Sequence, residues 1–124
     1  MVDDVKEQRN LAGRILTKLN YRVATVESGE DAVNYLKIKE ADLILLDMIM
    51  DPGIDGLETY RRIIATNPRQ KAVIASGFSE SEQVLEAQRL GAGSYLRKPY
   101  TLERLAVTVK NELHKADQPV SEAT

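Results

Sequence analysis

Residues able to bind a cation or a phosphoryl group stand where the apolar segments of this chain end. They are Asp3, Asp4, Asp47, Ser76 and Lys98. Each type has an ordinary explanation, because aspartate often forms turns or caps helices and loop serines and lysines are usually solvated. Together, however, they supply several carboxylates, a hydroxyl and an amine. If the fold gathers them, the set suits phosphoryl transfer around a hard cation.

Asp47 is the strongest candidate for the reacting group. It directly follows the apolar run 43–46 and stands alone at the end of that segment. Phosphoryl transfer depends mostly on positioning and charge neutralisation, and a carboxylate nucleophile would give an aspartyl phosphate. Mg²⁺ typically takes one or two protein carboxylates, keeps several waters and adds phosphate oxygens. In that chemistry Lys98 would add a fixed positive charge, and Ser76 a hydroxyl donor.

Alternating helix and strand patterns predict how these residues are positioned. Apolar residues at helical spacing predict helices, whereas short apolar or β-branched runs predict strands. The predicted helices cover 8–19, the segment after the capping sequence at Ser28, 56–65, 81–90 and 102–113, and the predicted strands cover 21–26, 42–46, 72–75 and 95–96. This alternation predicts a parallel sheet with helices on both faces. Ligands of such sheets bind beyond the carboxyl ends of the strands, where the five residues would meet.

The composition narrows the classes of function. A chain of 124 residues with 43% hydrophobic and 29% charged residues fits one globular domain. The net charge of -2 offers no basic field for direct nucleic acid binding. There is no cysteine, no apolar run that could span a bilayer and no signal-peptide pattern, which favours the cytoplasm and no membrane association. We expect the domain to cover residues 1–115 and residues 116–124 to form a flexible tail or linker.

Four features in this order resemble the receiver domain of bacterial two-component response regulators. They are the acid pair Asp3-Asp4, the segment LLDMIM around Asp47, the ASG sequence at 75–77, and Lys98-Pro99. The resemblance covers residues 1 to about 115, and the four features together are specific although none is so alone. It implies an α/β fold of the flavodoxin-like (βα)5 type, with a doubly wound parallel sheet in the strand order 2-1-3-4-5.

The resemblance also implies the roles of the acidic residues. Asp47 would accept a phosphoryl group from a histidine kinase or phosphotransfer protein. Asp4, Asp47 and the backbone carbonyl of Ile49 would bind Mg²⁺ directly, and Asp3 would act through a water. Such a chain would be a regulatory phosphoacceptor domain that assists its own phosphorylation and dephosphorylation, and not an enzyme acting on other substrates.

A conformational switch is the second implication of the resemblance. Lys98, followed by Pro99, would pair with the phosphoryl oxygens, and Ser76 would form a hydrogen bond to the phosphoryl group. Tyr95 lies three residues before Lys98, at the family's switch aromatic, and would turn inward as Ser76 moves. The surface of the fourth helix, fifth strand and fifth helix would then bind a downstream protein or fused domain.

The first strand and the loop after Asp47 depart from the family pattern. Only Met1 and Val2 precede the acid pair, so the central first strand is reduced to a stub. The chain is then a piece cut from a longer protein, starts at a misplaced codon, or receives a strand from a second molecule in a swapped dimer; we favour the first, with reduced stability as its consequence. In addition, Asp51 precedes Pro52 as a one-residue insertion, which indicates a solvated loop acid or a weak outer neighbour of Mg²⁺.

Other functions fit the residues less well. A magnesium phosphohydrolase that forms an aspartyl phosphate needs an acid two residues after its nucleophile, where this chain has Ile49. A flavodoxin needs a hydroxyl-rich phosphate loop, and Asp3-Asp4 would repel the flavin phosphate. The alternative kept beside phosphoacceptance is a degenerate receiver that acts only as a protein-docking domain.

Overall fold

From residue 29 onwards, helices and strands alternate along the chain as the sequence pattern predicts. The computed structural model describes residues 1–3, 5–48, 53–77 and 82–114. The helices of this part are α1 (Lys6–Lys18), α2 (Gly29–Ile38), α3 (Gly56–Thr66), α4 (Glu82–Arg89) and α5 (Leu102–His114), and the strands are β1 (Ile44–Asp47), β2 (Ala72–Ser76) and β3 (Tyr95–Arg97). The boundaries of these elements differ from the predicted ones by at most about two residues, as terminal turns commonly do. The predicted tail, 116–124, lies outside the described residues.

The three strands form a parallel sheet in the order β1-β2-β3. Leu45 of β1 pairs with Val73 of β2, and Ile74 of β2 pairs with Tyr95 of β3. Every residue of β1 and β2 is buried. These runs are continuously apolar up to their last residue because helices cover both faces of the sheet.

The first strand is present as the predicted stub, and the strand order is also as predicted. Val2 forms parallel bridges to Val26 on one side and to Leu46 on the other. The Val2 N–H donates to the Leu45 carbonyl at 2.8 Å, and the Asp47 N–H donates to the Val2 carbonyl at 2.9 Å. The predicted strand 21–26 is wrong in extent, because only Val26 has a bridge. Among residues 21–25, the Ala24 carbonyl accepts one hydrogen bond from Met1, at 2.8 Å, but none of these residues has a bridge to the stub.

Two apolar clusters lie on opposite faces of the sheet. Ile44 and Leu46 belong to the cluster under α2, α3 and α4. Leu45 belongs to the cluster under α1 and α5. This division follows from strand geometry, since successive side chains of one strand point to opposite faces. None of the described helices is long and apolar enough to cross a membrane.

A groove continues the line of the stub towards the amino ends of the strands. Its cavity measures about 680 Å³ and is lined mostly by apolar side chains, including Leu16, Val23, Leu36, Ile44, Leu45 and Leu113. The ammonium group of Met1 stands at its upper end and donates to the Ala24 carbonyl at 2.8 Å. Burial lowers the pKa of this amine to about 6. The groove therefore occupies the space that the earlier residues of a full central strand would fill.

Candidate functional site

Asp3, Asp47 and Lys98 meet at the carboxyl edge of the sheet. Asp3 ends the stub, Asp47 ends β1, and Lys98 directly follows β3. The Lys98 ammonium donates to Asp3 Oδ2 at 2.9 Å and lies 3.3 Å from Asp47 Oδ1. Residues 95 positions apart in the chain thus form one ionic cluster. We call Asp3, Asp47 and Lys98 the acid–lysine cluster.

The acid–lysine cluster is largely shielded from solvent. Asp3 is 2% exposed and Asp47 is 6% exposed. Two carboxylates this close and this buried repel one another, so a cation between them stabilises both. Burial disfavours the charge on Lys98, but the hydrogen bond to Asp3 and the charge of Asp47 outweigh it and raise the pKa of the lysine. Lys98 is therefore positively charged throughout the neutral range.

Asp3 is fixed by contacts to its side chain and to its backbone. Its Oδ1 accepts the N–H of Val5 at 2.9 Å, just before α1 begins. The Arg9 guanidinium donates to the Asp3 carbonyl at 2.8 Å and lies 3.8 Å from the Glu27 carboxylate. The sequence did not predict this contact of Arg9, because a side chain that donates to a backbone carbonyl follows no residue-type pattern. Its place in the first turn of α1, directly after the acid pair, is the only feature that could have suggested it.

Backbone hydrogen bonds align the ends of the three strands. The Met48 N–H donates to the Ala75 carbonyl at 3.0 Å, and the Lys98 N–H donates to the Ser76 carbonyl at 2.8 Å. Ser76 is 2% exposed at the end of β2. The Lys98–Pro99 peptide bond is cis. The predicted hydroxyl and amine therefore leave adjacent strands at the same level of the sheet.

Two tyrosines flank Lys98 along the chain. Tyr95 begins β3 and is half-buried against the cluster under α2, α3 and α4. Tyr100 is half-buried against the cluster under α1 and α5. Burial raises the pKa of Tyr100; Lys98 lowers it, and Asp3 and Asp47 raise it further. Tyr100 thus lies within the electrostatic field of the acid–lysine cluster, a neighbour that sequence analysis did not select.

Three predicted site residues, Asp4, Ile49 and Asp51, lie outside the described residues. Within the described part, no three His, Asp or Glu side chains gather closely enough to hold a metal ion. Asp3 and Asp47 nevertheless provide buried carboxylate oxygens, which are the ligands of a hard cation such as Mg²⁺. The donor chemistry therefore fits the predicted magnesium ion.

Comparisons with known proteins agree with this geometry. The family model described as "Response regulator receiver domain" matches residues 1–110. Among solved structures, the receiver domain of NtrX from Brucella abortus superposes with a TM-score of 0.87 at 26% identity, and covers 93% of this chain and 97% of that chain. The curated sporulation initiation phosphotransferase F of Bacillus subtilis is 28% identical over 113 residues, which are 91% of this chain and 90% of that protein.

Longer regulators match over the same region. The transcriptional regulatory protein ZraR of Salmonella typhimurium is 35% identical over 113 residues. These residues are 91% of this chain and 25% of that protein. The chain therefore spans about a quarter of the length of the curated transcriptional regulators that it matches.

Proposed function

The chain belongs to the receiver domains of two-component response regulators, and from this membership we propose that Asp47 is the aspartate that accepts the phosphoryl group. The observation that supports this assignment is the Lys98 ammonium, 2.9 Å from Asp3 Oδ2 and 3.3 Å from Asp47 Oδ1. Asp47 ends β1 and is the more exposed of these two carboxylates, at 6% against 2% for Asp3. A phosphoryl donor approaching this edge would meet it first.

The proposed reaction is an in-line transfer of one phosphoryl group. An Asp47 carboxylate oxygen forms a bond to phosphorus as the bond from phosphorus to the donor breaks. With a phosphohistidine donor, the imidazole nitrogen leaves with the bonding electron pair. Lys98 would turn from Asp3 towards the new phosphoryl oxygens, and the Ser76 hydroxyl would donate to one of them. These groups position the reactants and neutralise charge, which is the main source of rate in phosphoryl transfer.

We assign Mg²⁺ as the cation of this site. Asp4, Asp47 and the carbonyl of Ile49 would bind it directly, and Asp3 would contribute through a water. When bound, the ion would neutralise negative charge on the transferring group. Asp3 suits the outer role, because its two oxygens already accept the Val5 N–H and the Lys98 ammonium.

The output of the domain would be a change of surface. We propose that phosphorylation shifts Ser76 and Tyr95 and alters the face formed by α4, β3 and α5. A histidine kinase or phosphotransfer protein would be the upstream partner, and a downstream protein or fused domain would bind that face. We place this module in the cytoplasm as a regulatory domain whose only substrate is itself.

Intact-mass spectrometry after incubation with acetyl phosphate tests this proposal. With Mg²⁺ present, the protein is expected to gain one phosphoryl group. With the metal removed by EDTA, the adduct should disappear, because the charges on the donor and on the acid–lysine cluster are no longer neutralised. An adduct of equal yield in EDTA would contradict the magnesium assignment, and no adduct in either condition would favour the docking-only alternative.

Replacing Lys98 with methionine should separate metal binding from phosphoryl transfer. The variant lacks the ammonium group that competes with Mg²⁺ for Asp3 and Asp47. We therefore expect Mg²⁺ to bind about tenfold more tightly, as measured by calorimetry. Phosphorylation should nevertheless slow at least about tenfold, because one charge-neutralising partner of the phosphoryl group is gone. Lys110→Met, on the exposed side of α5, is the matched control. Weaker Mg²⁺ binding in Lys98→Met, with the fold intact by circular dichroism, would contradict this account.

A further inference from the structure

Glu30, in the first turn of α2, makes a contact that the proposed reaction has not used. Its Oε2 accepts the backbone N–H of Ile54 at 3.2 Å. Ile54 belongs to the segment that leads from Asp47 into α3. Residues 53–55 are the described part of this segment, and we call them the exit segment. A carboxylate from another helix is therefore bonded to the backbone between the acceptor and α3.

The first residue of α2 reinforces this contact. Gly29 is buried, and a Cβ atom there would collide with the Thr59 hydroxyl of α3 and lie 2.7 Å from Ile54 Cγ1. The absence of a side chain lets α2 approach the exit segment closely. Gly53 has φ of 104°, a conformation that favours glycine, and a Cβ atom there would lie 2.7 Å from Glu30 Oε1. Both glycines thus make room for the same carboxylate contact.

Gly56, which directly follows the exit segment at the start of α3, is bound to the backbone next to Asp47. The Gly56 N–H donates to the Met48 carbonyl at 3.0 Å. A Cβ atom on Gly56 would lie 2.5 Å from the Asp47 carbonyl oxygen. The Asp55 side chain caps α3 by accepting the Glu58 N–H at 2.9 Å. Movement of the exit segment would therefore be transmitted to the backbone of Asp47 itself.

From these contacts we infer that Glu30 is a positioning residue of the phosphoacceptor site: its hydrogen bond to Ile54 holds the exit segment in the conformation in which Asp47 binds the metal ion. Glu30 would act through the backbone of Ile54 and not through contact with the metal ion or the phosphoryl group. Through this hydrogen bond the exit segment is already ordered before the metal ion binds. Without it, metal binding would have to order the segment, and the affinity for Mg²⁺ would be lower. This inference rests on the proposed magnesium site.

The test is a Mg²⁺ titration of the unphosphorylated protein, monitored through the NMR chemical shifts of the Asp47 and Ser76 backbone amides. Glu30→Ala removes the acceptor and is expected to raise the Mg²⁺ dissociation constant about three- to tenfold, the range that one hydrogen bond supports. Glu30→Gln retains an acceptor oxygen without the charge and should stay within about twofold of the parent. Asp31→Ala removes the same charge from the next position of the same turn and serves as the matched control.

The pattern across the three variants decides the outcome. Equal weakening in all three would show a long-range effect of charge and would overturn the assignment of Glu30 as a positioning residue. Unchanged Mg²⁺ affinity in Glu30→Ala would overturn it as well.

A second measurement keeps this inference separate from the magnesium assignment. Without Mg²⁺, the Ile54 amide should exchange with solvent faster in Glu30→Ala than in Glu30→Gln, because only the former leaves it without its acceptor. If the parent protein binds no Mg²⁺, the proposed function fails, and the exchange rates still show whether Glu30 holds the exit segment. Equal exchange rates in the two variants would overturn the contact itself.

Discussion

Asp47→Asn is expected to abolish phosphoryl transfer from acetyl phosphate. Asparagine has nearly the same shape as aspartate, but its amide is a poor nucleophile and offers no negative charge to a metal ion. The variant keeps a polar group beside Lys98, so the 3.3 Å contact from Lys98 to position 47 can persist as a weaker hydrogen bond. Intact mass should show one added phosphoryl group in the parent protein and none in the variant.

Two controls make the Asp47 result specific. Asp42→Asn changes a carboxylate ahead of β1 at the opposite end of the strand, and its adduct should match that of the parent. Treatment of the phosphorylated parent with hydroxylamine should remove the group, because an acyl phosphate is cleaved by this nucleophile. An adduct of undiminished yield in Asp47→Asn would show that another residue is the acceptor.

Extending the first strand ahead of Met1 should produce the largest gain in stability. The hydrogen bonds of Val2 and Met1 follow the regular pattern of parallel strands. Continued by two residues, this pattern places the Leu45 N–H and the Leu43 carbonyl on one side of the groove and the Ala24 N–H on the other. Two added apolar residues, such as Ile-Val, would pair with these groups and bury one side chain on each face. Each such side chain contributes about 1.5–3 kcal/mol when fully buried. We expect a rise in melting temperature of roughly 10 °C by calorimetry.

An extension of the same length that cannot form a strand is the matched control. Asp-Pro ahead of Met1 adds a charge and removes a backbone donor, so it should give no gain. Equal melting temperatures for the Ile-Val and Asp-Pro forms would contradict the interpretation of the groove as a strand position.

The same extension should change how stability depends on pH. Burial lowers the pKa of the Met1 amine from 8.0 to about 6. The unfolded state therefore binds this proton more tightly, and the free energy of unfolding rises between pH 6 and pH 8 by on the order of 1 kcal/mol. Converting the amine into an amide removes that rise. Denaturant unfolding of both forms at pH 6 and pH 8 measures the difference.

Sequence reasoning located the elements whose structure depends on their own residues. The runs around Leu45 and Val73 are strands because continuous apolar sequence suits a sheet covered on both faces. Ser28 caps α2 as its capping sequence indicated, with its hydroxyl accepting the Asp31 N–H at 3.1 Å. The carboxyl-edge position of Asp47 followed from the strand that precedes it.

Features that depend on a distant neighbour could not be predicted in the same way. Residues 21–25 have the β-branched composition of a strand, but a strand also needs a partner, and the stub provides one only at Val26. The contacts of Arg9 with Asp3 and of Glu30 with Ile54 were not predicted, because each side chain bonds to a backbone atom and no pattern of residue types identifies such a pair. Such contacts depend on the path of the chain in three dimensions.

The position of Lys98 has a thermodynamic consequence. With Lys98 between Asp3 and Asp47, the resting site already contains its own counter-ion. A divalent cation arriving alone must compete with an ammonium group, whereas a phosphoryl group arriving alone adds negative charge to a pair of carboxylates. Each is better accommodated when the other is present, and the coupling free energy must be the same in both directions. The proposed site would thus respond to metal and phosphoryl group only when both are present, and Lys98 would neutralise the two carboxylates until then.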